Sequence, residues 1–326
     1  MDHLFAYSDP SYVSVHNPLH IPVHFLGLEL VVYACFALTL RHALSRHRAG
    51  DSYHLFQWLA LFVYGVTIEV VAFNLFGNYE HGTFSVQLYH GQLPLYVTCI
   101  YLVFHYTGIK MIERLRLPLW REAVVAGLAI MLLDVPFDSL GVDAGWWTWA
   151  DNTASAAHPR FVEAVKTRWF GVPVSSYYWY LLYGALLVLL SRLLYPRLKN
   201  WRAALRLVAA PLVSVSVLVL GALAFELLFW LPRGLGASDH AIVATYLMFA
   251  VAVAATSRAP RATRAEPWLV ANAGVFYAYH LIVMVTLWSR GSLSHGSGKL
   301  ATIAAAAVAT YAIARVLPSS QPRGCP

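Results

Sequence analysis

Apolar runs of membrane-crossing length alternate with short polar breaks along the whole chain. A bilayer core takes about 20 apolar residues in a helix. Nine stretches meet that need: 22–41, 54–76, 92–112, 121–138, 174–195, 204–231, 238–257, 267–288 and 300–317. Asn272 and His280 interrupt the eighth, and the ninth is mostly alanine. The pattern predicts an all-α, polytopic helical bundle, one transmembrane domain over residues 1–318 with a disordered tail, 319–326. The one long break, 139–173, predicts an outer loop with a short surface helix over 158–168, because loops of this length are uncommon without a function.

Composition agrees. Hydrophobic residues make up 59%, charged residues 12%, and mean hydropathy is +0.58, against roughly 25% charged in soluble domains. The first twenty residues lack the basic start and apolar middle of a cleavable signal. Of three cysteines, Cys35 and Cys99 fall mid-span and Cys325 in the tail, which makes no disulfide framework. Seventeen of the 23 lysines and arginines lie on the side reached after the odd-numbered spans. By the positive-inside rule that side is cytoplasmic, so the N-terminus is expected outside and the C-terminus inside. The net charge of +7 therefore reports topology, and no nucleic-acid partner is expected. The expected location is a bacterial plasma membrane, with membrane lipids and a lipophilic small molecule from the bilayer as partners.

The polar residues within the spans are uneven. Glu29, Glu69, Asn74, Asp134, Asp138, Glu226 and His280 fall in the outer half, with Tyr79, His81 and His90 in the adjoining turn. His105 is the exception. A carboxylate near the bilayer centre costs about 2.5–3.5 kcal/mol and persists where it faces a cavity or a partner. The pattern predicts a proton-donating pocket open to the outer half, lined by spans one to four and six. Plainer readings stand beside it. Asp138 lies near enough to the interface to cap a helix, and Glu29 can bridge two helices. The aromatics Trp146, Trp147, Trp149, Trp169 and Tyr177–Tyr180 suit an interfacial belt. Asn17 with Pro18 suits a helix start. His16, His20 and His24 have metal-ligand spacing and suggest a divalent metal, although Pro22 falls between the last two. No P-loop, dinucleotide fingerprint or nucleophile elbow is present in a suitable context.

Two stretches carry a family resemblance. Glu69, Gly77, Tyr79 and Pro94 form a glutamate, Gly-x-Tyr turn and proline re-entry; Asp134, Trp147, Trp149, Gly171, Val172, Pro173 and Trp179 form a second block. Together, over 68–184, they resemble carotenoid-biosynthesis membrane proteins of the carotenoid 1,2-hydratase (bisanhydrobacterioruberin hydratase) type. The N-terminal histidines, the insertion at 153–168 and the ninth span depart from that pattern. The resemblance implies acid-catalysed addition of water across a terminal isoprenoid double bond. Asp134 or Glu69 would be the acid, with Asp138 beside them. His81, His90 or Asn74 would hold water. Tyr79, Trp147, Trp149, Trp179 and Glu226 would contact substrate. The same residues leave open a membrane terpene cyclase, a histidine/carboxylate metal-dependent oxidoreductase and a transporter. The last is opposed by the near absence of polar residues in the cytoplasmic half.

Overall fold

Residues 11–77, 79–149, 159–259 and 262–315 are described by a computed structural model. The tail 319–326, Asp151 and residues 153–158 of the insertion lie outside the described residues. Among the described residues nine helices are long and apolar enough to cross a membrane: α1 Val23–Arg48, α2 Tyr53–Phe76, α3 Leu95–Glu113, α4 Leu119–Gly141, α6 Val174–Arg197, α7 Ala203–Gly234, α8 Asp239–Thr256, α9 Pro267–Ser289 and α10 Gly296–Arg315. Between α4 and α6 lies a short amphipathic helix, α5, Pro159–Lys166. The chain is an integral membrane protein, a polytopic helical bundle.

The spans run alternately between two ends of the bundle. Loop-to-loop contacts hold each end together. At the end that carries the N-terminus, Lys299 pairs with Asp143 at 2.5 Å and Arg233 with Asp239 at 3.0 Å. At the other end, which is rich in basic residues, Arg46 pairs with Glu266 and Arg114 donates to the Thr263 carbonyl.

α3 and α4 form the centre. In each, 89% of the apolar window is buried, against 22% for α10. Without water to drive helices together, close packing of small residues does so. Gly127 of α4 lies against the Leu181 carbonyl of α6, and a Cβ on Gly184 would stand 3.0 Å from the Gly127 Cα. Pro136 interrupts α4 and cannot donate to the Leu132 carbonyl one turn back. The Tyr277 hydroxyl of α9 donates to that carbonyl instead, at 2.6 Å. Asn272 and His280, which break the apolar run of α9, face inward. Asn272 donates to Thr107 at 2.7 Å, and His280 Nδ1 donates to the Phe276 carbonyl at 2.8 Å.

Three helices contain a π-helical turn, at Ala72–Phe76, Leu102–Tyr106 and Glu226–Trp230. Small antiparallel sheets cover the N-terminal end, a feature hydropathy does not reveal. They are β1 (Val13–Val15) with β3 (Val86–Leu88) and β4 (Leu93–Pro94), β2 (Tyr79–His81) with β5 (Trp147–Trp149), and β6 (Arg168–Trp169) with β7 (Val172–Pro173). β4 and β7 each run through a proline directly into a spanning helix. Asn17 caps only a 3-10 turn, Pro18–His20, and α1 begins after Pro22.

Candidate functional site

Strands of the sheet layer, five spanning helices and α5 enclose one cavity of about 130 Å³ at the N-terminal end. A single water needs roughly 10–15 Å³, so the space admits a larger guest. Glu69 enters from α2, Tyr101 from α3, Phe137 and Asp138 from α4, and Ser176, Trp179 and Tyr180 from α6. β2 supplies Tyr79 and His81, and β5 supplies Trp147 and Trp149. Ala164 and Val165 of α5 close the space from above. Ser175 pins that helix by donating to the Ala164 carbonyl at 2.8 Å.

Glu69 is 3% exposed and accepts two phenolic hydrogen bonds, from Tyr79 at 2.7 Å and from Tyr101 at 2.6 Å. Tyr101 reaches it because Gly65, one turn before Glu69, leaves α2 open; a Cβ there would stand 2.7 Å from the Tyr101 Cβ. Burial, then the charge of Glu69, pushes the Tyr79 phenol well above its usual range, so it stays a donor. His81 Nε2 stands 3.7 Å from Glu69, and neither His81 ring nitrogen has a hydrogen-bond partner among the described residues. Aromatic rings enclose that imidazole, with Tyr79, Phe73, Trp147 and Tyr96 edge-on at 5.4–6.4 Å.

Asp138 is 6% exposed and accepts a hydrogen bond from Ser176 at 2.7 Å. Asp134, one turn earlier on α4, is 1% exposed and does not line the cavity; its polar neighbours are Asp138 and Tyr180. Among the described residues no lysine or arginine pairs with Glu69, Asp134 or Asp138. The walls are aromatic. Trp179 stacks on Tyr183 at 4.1 Å, Phe137 packs on Trp147 at 4.5 Å, and Gly141 vacates the space that the Trp147 ring fills.

The structure thus brings Glu69, Tyr79, His81, Asp138, Trp147, Trp149 and Trp179 around one hollow. It separates others. Asn74 donates to the Val70 carbonyl and to Tyr89, outside the cavity. His90 sits in the turn after β3 with φ 58°, against Tyr12. The Glu226 carboxylate is half exposed and pairs with Arg160 of α5 at 2.8 Å; its neighbour Phe225 faces the cavity instead. Of the two Asp residues, the one nearer the interface reaches the hollow and the deeper one backs it, the reverse of the sequence expectation. Glu29 accepts hydrogen bonds from the Ser85 amide at 3.2 Å and hydroxyl at 2.7 Å, so it anchors the re-entry loop and does not bridge helices.

The histidine triplet does not form a cluster. Pro22 ends the 3-10 turn carrying His20, so His20 and His24 share no helical face. His24 Nε2 donates to the Ala144 carbonyl at 2.9 Å and His20 is exposed. Among the described residues no three His, Cys, Asp or Glu side chains are grouped to hold a metal ion.

Sequence reasoning missed Tyr101 and Ser176, polar groups hidden among span aromatics, and counted Tyr180 with the interfacial belt. It also missed a second buried polar cluster at the basic end. Lys110 there pairs with Glu113 at 2.5 Å, and Arg192 bridges Glu122 at 2.9 Å and Glu113 at 3.4 Å. His42 shares a 2.8 Å hydrogen bond with Tyr106. The basic half of the bundle is therefore not free of polar residues, which corrects the sequence expectation.

No curated protein and no solved structure matches this chain. A family model does, over residues 7–289, under the description "Domain of unknown function (DUF7802)". A match over that much of the sequence makes the chain a member of the DUF7802 family.

Proposed function

We propose that the protein is a membrane-embedded enzyme that adds water to an alkene of a lipophilic, isoprenoid-like substrate by acid catalysis. The observation that carries this reading is the placement of Asp138 and Glu69 on one aromatic-walled cavity, with hydroxyl donors to both and, among the described residues, no lysine or arginine facing either. A carboxyl without a cationic partner in apolar surroundings is cheaper neutral than charged. Asp138, backed by Asp134, gives its proton to one alkene carbon, and a tertiary cation forms at the other. The π-faces of Trp147, Trp149 and Trp179 shelter that cation. Water held by His81 and Glu69 attacks the cation, His81 takes the proton released, and its return to the Asp138 carboxylate completes the cycle. The sum is one water added per double bond, with no redox change. The resemblance of residues 68–184 to carotenoid 1,2-hydratase-type proteins points the same way. The charge asymmetry supports the reading that this end of the bundle faces the extracytoplasmic side of a bacterial plasma membrane.

Purified protein incubated with a polyisoprenoid bearing terminal trisubstituted double bonds in oxygen-18 water tests the reading. A tertiary alcohol carrying the label is expected. A cyclised hydrocarbon without label would indicate terpene cyclase chemistry, in which an internal alkene traps the cation.

A second reading, proton-coupled transport, is favoured by one observation. Polar groups continue from Glu69 along α3: Tyr101 binds Glu69, His105 Nδ1 donates to the Tyr101 carbonyl at 2.9 Å, and Tyr106 meets His42 at the basic end. Proton flux in proteoliposomes without isoprenoid chemistry would decide for it.

A further inference from the structure

One side of the cavity at the N-terminal end is walled by aliphatic and aromatic side chains alone. Ala72 and Phe76 of α2, Trp179 of α6 and Phe225 of α7 form that side. Beside them, Leu75 of α2 and Leu223 and Leu227 of α7 are more than half exposed, so this wall backs onto lipid. About three turns further along α7, that helix touches α2, the Ser214 hydroxyl donating to the Ala60 carbonyl at 2.6 Å. At the level of the hollow the Trp179 ring lies between them instead, edge-on to Phe76 at 6.1 Å and to Phe225 at 5.4 Å. Among the described residues, each of the three π-helical turns begins at or directly after a residue of the cavity wall: Ala72, Tyr101 and Phe225. Such turns recur at functional sites. Glu226 and Trp230 meet Arg160 of α5 at 2.8 and 4.6 Å, which sets the membrane surface just above Phe225. Size adds a constraint. The hollow measures about 130 Å³. A dry cavity of roughly 150 Å³ holds one benzene, so there is room for about one isoprene unit. A longer chain must leave its remainder outside.

We propose that an isoprenoid chain enters this cavity end-on from the bilayer, through a portal between α2 and α7 framed by Phe76, Trp179 and Phe225. The terminal unit lies beside Asp138 and Glu69, and the rest of the chain stays among the lipid tails. The end that enters is an uncharged hydrocarbon. A diphosphate end would meet two carboxylates and, among the described residues, no lysine or arginine. Ala72 and Phe225 set the width of the portal and so the girth of the chain it accepts. The inference rests on the isoprenoid reading of the site and adds the route and orientation of the substrate.

The test is photolabelling of the intact protein in liposomes with an uncharged polyisoprenoid that carries a diazirine in mid-chain, with and without excess unlabelled chain. Mass spectrometry maps the adducts. Adducts that the unlabelled chain competes away are expected on residues 72–76 and 225–228. Ala72→Trp, which fills the portal, should lower the competed labelling about tenfold. Leu223→Trp, on the lipid face of α7, should leave it unchanged. If Ala72→Trp does not fold, the wild-type map decides. Even labelling of all lipid-facing helices that the competitor does not reduce, or competed adducts confined to other helices, would overturn the proposal. Labelling needs no turnover, so the two readings can fail separately. Competed portal adducts without an oxygen-18 alcohol would keep the portal and reject hydration; the alcohol without competed portal adducts would reject the portal and keep hydration.

Discussion

The two ends of the bundle bury ionisable groups in different ways. At the basic end every buried acid faces a cation. Lys110 and Arg192 hold Glu113 and Glu122, and the same cations lie over the Tyr53 ring at 5.0 and 4.9 Å. At the N-terminal end, among the described residues, Glu69 and Asp138 meet hydroxyls, the Asp134 carboxyl and an imidazole without a hydrogen-bond partner, and no lysine or arginine. The first arrangement is electrostatically closed. A buried pair of opposite charges neutralises itself and leaves little to exchange with a guest. The second is open, because among the described residues no lysine or arginine stands there to balance a charge that forms. Groups in that condition, around an apolar cavity, are suited to proton transfer.

The contrast is broken most directly at Asp138. Asp138→Asn keeps the shape and the Ser176 contact but has no acidic proton, so hydration should fall by about 10²–10⁴-fold while the unfolding midpoint stays near wild type. Product formation per mole of folded protein checks this. At the closed end the effect should appear in stability. Lys110→Ala leaves a buried acid short of a partner and should cost about 3 kcal/mol, read from denaturant unfolding in detergent, with turnover of the surviving folded protein unchanged. Tyr101→Phe sharpens the comparison, because it removes one of two donors to Glu69. A loss of about tenfold in turnover is expected, corresponding to one hydrogen bond of roughly 1.4 kcal/mol. The smallest effect is pH-dependent. Partial burial pulls the Glu266 carboxyl up, but the Arg46 hydrogen bond and the His42 charge outweigh it, so the folded value lies below the ordinary one. Its contribution to stability is therefore present above the ordinary carboxylate range and lost as pH falls through the folded value. Melting curves of wild type and Glu266→Gln should differ at neutral pH and converge in acid.

Much of the bundle was legible in the sequence, because in a membrane the backbone must satisfy itself and hydropathy reports it directly. All nine spans were found, although α1 extends to Arg48, past the expected end at 41, since its basic last turns are helical too. The sheets were not legible. Each strand is two or three residues long, and the pairing of Tyr79–His81 with Trp147–Trp149 joins segments far apart in the chain. That same pairing sets His81 beside Trp147, so the site's geometry was hidden for the same reason. The intramembrane acids could be named as candidates, but depth along the span favoured Asp134 over Asp138, the reverse of what lines the cavity. Which of Asp134 and Asp138 faces the hollow depends on how α4 rotates against α6, where Gly127 and Gly184 meet. The buried charges at the basic end were overlooked because hydropathy treats Lys110, Glu113 and Glu122 as the edges of spans.

The central claim is that Asp138 delivers a proton to a carbon atom. The most direct measurement is carbon-bound deuterium in the product of a reaction run in heavy water, compared between wild type and Asp138→Asn. One deuterium per new hydroxyl is predicted for wild type, and a rate of uptake lower by about two orders of magnitude or more for the variant. Deuterium uptake at the wild-type rate in folded Asp138→Asn would contradict it.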